Sequence, residues 1–463
     1  MKQLIIDQSP ILNIAMTVDL NHQKIEKVIM ENQFSDNILG NIYLGRVVQF
    51  AESIDGVFID IGQRENGFLS RREYLKTRSR EEKGLPLTKL LKKGELILVQ
   101  VIKESYQLKG PQLTADISLA GKYVVLLPQM KGIRFSKKLR SHVNKDHISK
   151  LIDDAYDGEL GWIVRSVVNE VQSEEMISKD INRLCNQWTE LVKISKLSSK
   201  TAALYDGSNF FENIYRKLYD DSVERVCYHS KALKSVLMEM GIPAAKLKLI
   251  APQNAIYHEF GVDLERYLFE SIVDCGEGIN ATIDELEAFT IVDVNSGSYT
   301  AVDKVKMTDE VNRKAALSVK NHLLNRNISG VIIIDFIDMK KENASNFMKF
   351  LEEEVFTGED DFLVCGLTTL GLVELTRKRE RPSSLDAVSF NFRQKDRFFW
   401  HLNELYYELL KIEKHTNTKE LTVELEEALY IFLAQRDIFN GFEYKIRYVK
   451  KPTGNGKYRF IRN

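Results

Sequence analysis

The spacing of apolar and polar residues changes character several times along the chain. Between residues 40 and 120 the apolar positions come in short bursts: NIYLGRVVQF, GVFIDIG, GFLS and ELILVQVI. They are rich in β-branched and aromatic side chains and punctuated by glycine, which predicts strands. About five short strands in so short a stretch predict a small barrel of the OB type. Lys109-Gly110-Pro111-Gln112 reads as a loop carrying a cation. From 121 to 207 basic loop, strand and helix alternate. GWIVRSVV, residues 161–168, reads as a strand, and residues 174–196 as a helix with Trp188 among its apolar positions. After Asp206-Gly207-Ser208-Asn209 the pattern is helical again, and KLKLIAP returns to strand.

Residues 287–340 carry the clearest periodicity. AFTIVDVNSG gives an apolar strand over 288–294 that ends in a polar turn. Thr308 followed by Asp309 and Glu310 has the composition of a helix start. Val311, Ala315, Val319 and Leu323 then recur every fourth residue along one face. Asn327-Ile328-Ser329-Gly330 stops the helix, and SGVIIIDFIDM supplies a second buried strand with its polar residues at the far end. Past Glu380, aromatic-rich helices run to about Lys414 and again from Glu424 to Gln435. YKIRYVKKPTGNGKYRFIRN alternates on either side of a Pro-Thr-Gly-Asn-Gly turn, a hairpin by pattern.

At 463 residues the chain is long for one core and predicts several domains. No apolar run reaches the length of a membrane span, and MKQLIIDQSP lacks the apolar stretch of a secretory signal. The expectation is a cytoplasmic protein. Cys185, Cys227, Cys275 and Cys365 are scattered without a CxxC pair, so reduced thiols are expected and their spacing gives a zinc site no support. A net charge of -1 excludes an overall polycation, so a phosphate-binding surface has to be local. Charge is indeed segregated. Residues 131–150 contain Lys131, Arg134, Lys137, Lys138, Arg140, Lys145 and Lys150, and residues 444–463 hold seven Lys and Arg with no acid.

Asp293 and Asp335 stand at the ends of the two strands of a strand–helix–strand unit. Such units join parallel strands by a crossover, so both strands finish on the same sheet edge. Two carboxylates held together there are costly unless a cation lies between them. A hard ion such as Mg²⁺ suits one or two carboxylates plus a phosphate. Asn295 is placed to hold Asp293 in a metal-binding rotamer, and Asp338 is an auxiliary candidate, one turn beyond Asp335 if FIDM opens a helix. Asp and Asn after a strand also serve as turn formers and helix caps. In the barrel, alternation in GVFIDIG puts Val57, Ile59 and Ile61 on one face and Phe58 on the other. Phe58 and Phe68 are base-stacking candidates with Lys109 as a phosphate contact, against the alternative that the rings fill the core. Arg165 beside Ser166 could bind a terminal phosphate. The basic terminal run could follow a nucleic-acid backbone or simply defend a sheet edge.

DVNSG at 293–297 and GVIIIDFIDM at 330–339 resemble the two catalytic segments of the bacterial ribonuclease E/G family, in order and separation. GNIYLGRVVQ, GVFIDIGQRENGFLS and KGPQLTADISLAGKYVVLLP resemble its RNA-binding barrel, and GWIVRS its sensor of the RNA 5′ end. The similarity runs from about residue 1 to 380. The resemblance implies an α+β multidomain architecture. A ribonuclease-H-like scaffold (1–36 and 208–275) would receive an OB-fold RNA-binding barrel (37–120) and a 5′-sensor (121–207) as an insertion. A DNase-I-like α/β catalytic subdomain (276–383) and a small C-terminal α/β domain (384–463) would follow.

The same resemblance makes Asp293 and Asp335 metal ligands, Asn295 the residue orienting Asp293, and Arg165 with Ser166 a 5′-monophosphate pocket, Ser166 standing where the family usually has Thr. Phe58, Phe68 and Lys109 become RNA contacts. The implied activity is Mg²⁺-dependent cleavage (Mn²⁺ substituting) of single-stranded, A/U-rich RNA in ribosomal-RNA maturation and mRNA decay, leaving 5′-phosphate and 3′-hydroxyl ends. The rival readings are a non-catalytic RNA-binding protein that keeps this fold and, less favoured, a DNA nuclease. One departure is large: where the family has a CPxCxG zinc link, this chain reads TRKRERPSSLDAVSF, with no cysteine. Structural zinc is therefore not expected, and a homodimer has to use a zinc-independent interface or fail to form.

Overall fold

The computed structural model describes residues 1–35, 37–104, 110–140, 142–155, 160–170, 174–250, 255–298, 304–339, 341–357, 361–378, 381–391, 394–416, 419–450 and 458–461. The chain forms two units, one of Met1–Ser35 with Leu218–Asn463 and the other of Asp36–Lys217. Among the described residues no helix is long and apolar enough to cross a membrane.

In the discontinuous unit, Lys2–Gln8, Leu12–Asp19 and Lys24–Asn32 form an antiparallel meander. Val223–Tyr228 adds in parallel to the free side of Lys2–Gln8, and Leu247–Leu249 adds in parallel beyond it. Near-continuous buried runs put Lys2–Gln8 and Leu12–Asp19 under cover on both faces. The core over this sheet includes Ile5, Met16 and Tyr257 and is shared with Trp400 and Leu405 of the helix Phe398–His415 and with Val423 and Phe432 further on. The C-terminal stretch thus packs into the same core as the N-terminal strands.

A six-stranded mixed sheet belongs to the same unit, in the order Ile272–Gly276, Ile279–Glu285, Phe289–Asn295, Gly330–Asp335, Val373–Arg377, Phe362–Leu367. Phe289–Asn295 alternates strictly between exposed and buried side chains, the mark of a sheet covered on one face. The cover is the helix Lys304–Asn325, whose Val311, Ala315, Val319 and Leu323 are fully buried against Val292 and Ile334, as their spacing predicts. That helix begins at Lys304, a turn before the start read at Thr308. Its far end is anchored by Asn325, whose side chain accepts from Val28 N–H at 3.0 Å and donates to Tyr267 Oη at 2.7 Å.

The terminal hairpin does not form. Lys445–Lys450 and Tyr458–Ile461 are both strands, but Glu420–Leu425 stands between them, parallel to the first and antiparallel to the second. Alternation marks both strands but not their partner: Glu420–Leu425 also alternates, buries Leu421, Val423 and Leu425, and takes the place between them.

In the inserted unit, Ile42–Ala51, Gly56–Asp60, Gly67–Ser70, Gln112–Thr114 and Leu96–Lys103 pair in a ring, and the first strand closes on the last. This is a closed five-stranded barrel consistent with an OB-like fold. Val57, Ile59, Leu69, Val99 and Leu113 fill it. A second sheet, Gly132–Phe135, Gly161–Val164, Val124–Leu127 and Leu119–Ala120, packs on the helices Lys145–Ala155 and Glu174–Leu197. The strand at 161 is shorter than its apolar run suggests: it ends at Val164, and a 3₁₀ turn over Ser166–Glu170 follows.

Candidate functional site

Parallel pairing brings the two aspartates together. Phe289 lies opposite Val331, Ile291 opposite Ile333, and Asp293 opposite Asp335. Neighbouring strands are ~4.8 Å apart, and side chains two residues apart share a face. Both carboxylates therefore rise side by side from the uncovered face at the strand ends, and both are exposed. The Asp335 carboxyl is held above its ordinary range, first by partial desolvation and then by the like charges of Asp293 and Asp338. Asn295, on the same face two residues on, donates from Nδ2 to Asp293 Oδ2 at 2.8 Å. The turn behind it needs glycine: Gly297 has φ +53°, and a Cβ there would lie 2.0 Å from the Gly278 carbonyl oxygen.

Asp338 is differently placed from expectation. Residues 336–339 form no helix, and the next helix starts at Lys341. Asp338 is exposed and acts on Asp335 through its charge. A residue missed from the sequence fixes this segment. Asn312, fully buried on the covering helix, donates to Ile337 O at 2.8 Å and accepts from Ile337 N–H at 3.0 Å. A polar residue beside the buried Val311 and Ala315 was the available signal.

Among the described residues no group of three or more His, Cys, Asp or Glu side chains is arranged to hold a metal. A cation at Asp293 and Asp335 would rest on two carboxylates and take its other ligands from water and substrate. That incomplete all-oxygen donor set is the one Mg²⁺ favours.

On the barrel, Phe58 and Phe68 lie opposite each other on paired strands, both half-buried and outside the core, with ring centroids 5.6 Å apart. Gly56 makes room for Phe68, since a Cβ there would meet its ring at 2.4 Å. Lys109 lies outside the described residues. In the second sheet, Arg165 directly follows the strand and donates from Nη1 to Gly121 O at 3.1 Å, with Ser166 opening the 3₁₀ turn. The structure adds basic neighbours there. Ser136 N–H bonds Val164 O at 2.9 Å, and Asn169 ties down both Arg140 N–H and Lys138 O.

The family profile described as the Ribonuclease E/G family matches residues 118–380. Ribonuclease G of Escherichia coli (strain K12) is 29% identical over 374 residues, covering 78% of this chain and 76% of that protein. A ribonuclease E/G-like protein of Pyropia yezoensis is 31% identical over 387 residues, covering 79% and 74%. Ribonuclease E of Synechocystis sp. (strain ATCC 27184 / PCC 6803 / Kazusa) is 33% identical over 359 residues, covering 74% of this chain but only 52% of its own longer one. With more than half of the chain matched by the profile, including both aspartate-bearing strands, this protein belongs to the ribonuclease E/G family.

Proposed function

We propose that this protein is an endoribonuclease that hydrolyses single-stranded RNA at Asp293 and Asp335 with the help of a divalent cation. The observation that carries the reading is the parallel register setting the two carboxylates side by side on an open sheet face, with Asn295 holding one of them. Asp293 and Asp335 would hold Mg²⁺, or Mn²⁺ in its place. When bound, such an ion supplies a more acidic water and a counter-charge for the phosphate. Asn295 keeps Asp293 turned toward the cleft, and Asn312 fixes the segment after Asp335. Attack of water on phosphorus with loss of the 3′ oxygen leaves a 3′-hydroxyl and a 5′-phosphate, and A/U-rich sites suit the reading best. Phe58 and Phe68 offer two ring faces for bases, and Arg165 and Ser166, near Lys138 and Arg140, a place for a 5′-monophosphate. Ribosomal-RNA maturation and mRNA decay are the proposed settings.

The strand orders support the finer architecture. A meander extended on one side by two parallel strands suits a ribonuclease-H-like scaffold, and the mixed sheet bearing the aspartates suits a DNase-I-like subdomain. The test uses purified protein, Mg²⁺ and a 5′-monophosphorylated A/U-rich oligonucleotide. Cleavage should stop in EDTA, return with Mg²⁺ or Mn²⁺, and fall at least a hundredfold in Asp293→Asn and Asp335→Asn, on the scale of lost metal chemistry. Undiminished cleavage by those variants removes the site; RNA binding without any cleavage supports a binding protein instead.

A further inference from the structure

The uncovered face of the six-stranded sheet carries more than the two aspartates. Register across five strands resolves it into rows. Asn280 and Asn295 form the row at the strand ends, and Thr282, Asp293 and Asp335 the next. Below these come Asp284, Ile291, Ile333 and Glu374, then Phe289, Val331, Thr376 and Leu363. The face is thus polar at the carboxylates, and beneath them Ile291, Ile333, Phe289 and Val331 form an apolar strip bordered by Asp284 and Glu374. Phe289 is 37% exposed, Ile291 38%, Val331 46% and Leu363 63%. An apolar patch of that kind marks a binding surface.

We infer that this patch is a base platform: the nucleotides beside the scissile phosphate lay their bases on Ile291, Ile333 and Phe289 while the phosphate sits at Asp293 and Asp335. The inference rests on the proposed ribonuclease reading and adds substrate-contacting residues to it. Its occupant follows from continuity: the strip adjoins Asp293 and Asp335 on the same face, so an RNA held there by its phosphate has neighbouring nucleotides beside it. Ile291 lies ~7 Å and Phe289 ~13 Å along the strand from Asp293, within reach of adjoining bases. Asp284 and Glu374 border the Ile291–Ile333 row. They repel phosphates from it, so what fits there is the uncharged face of a base. Stacking tolerates any base, and the larger purines gain most from it.

The test compares Phe289→Ala and Ile291→Ser with wild type on a ten-nucleotide RNA cut at one site, alongside Leu370→Ala, an exposed residue of the turn between two other strands. The expected result is a roughly tenfold rise in KM for the first two variants, from lost stacking on Phe289 and lost apolar contact at Ile291, with unchanged melting temperature and no change for Leu370→Ala. An unchanged KM overturns the inference. So does a shift to smaller species in sedimentation by the Phe289 and Ile291 variants, which would show the face holding a second copy of this chain. If the wild type cuts no RNA, the ribonuclease reading falls separately. The platform is then judged by binding of the same RNA, and equal affinity for wild type and Phe289→Ala overturns it.

Discussion

Asn295 acts through one contact, the 2.8 Å bond from its amide to Asp293. An outer partner of a metal-binding carboxylate contributes about 10–100-fold in activity or metal affinity. Asn295→Ala should therefore lower kcat/KM by about that factor and raise the Mg²⁺ concentration giving half-maximal cleavage, with little change in melting temperature because the residue is exposed. His322 has the opposite character, acting on stability alone. Burial first, and the Arg326 charge next, lower its pKa from 6.5 to about 3. The unfolded chain therefore takes up a proton that the fold refuses, and stability present above pH 6.5 is lost as pH falls toward about 3. Urea unfolding at pH 7 and pH 5 should show wild type losing up to ~2 kcal/mol more than His322→Gln. Equal losses would exclude His322 as the cause.

The element that decides the site is the helix Lys304–Asn325, which covers the sheet and clamps the segment after Asp335 through Asn312. Asn312→Leu removes both bonds and leaves the half-buried Ile337 N–H and C=O without this partner, a cost of about 1–3 kcal/mol. Denaturant unfolding should register that loss, and cleavage by the remaining folded protein should also be slower; full activity would mean that the clamp positions nothing. The helix itself was legible from its apolar face, because four-residue spacing is a local signal. Its clamp was not, since an asparagine inside an apolar stripe does not announce its partner. The terminal hairpin and the overlong strand at 161 failed for a related reason. Alternation predicts strands, while pairing and strand ends depend on residues distant in sequence.

At the scale of the whole molecule, residues 376–390 mark this chain's departure from its family's pattern. The described part of that stretch lacks cysteine and is held by protein contacts: Ser384 N–H bonds Arg326 O at 2.7 Å, and Asn327 donates to Pro382 O at 2.8 Å. Metal analysis of protein purified without chelator should find less than one zinc per dimer equivalent, and added zinc should leave the molar mass in solution unchanged. Stoichiometric zinc would point to ligands outside the described residues. The sequence by itself determined the strand–helix–strand unit, the two aspartates, the outward turn of Phe58 and the family, because these depend on local period and short motifs. Only the tertiary structure decided that Asp293 and Asp335 stand in register, that Asn312 holds the loop beside them, and that the sheet leaves one face open. Register, clamping and coverage arise between segments far apart in the chain, where no local pattern records them.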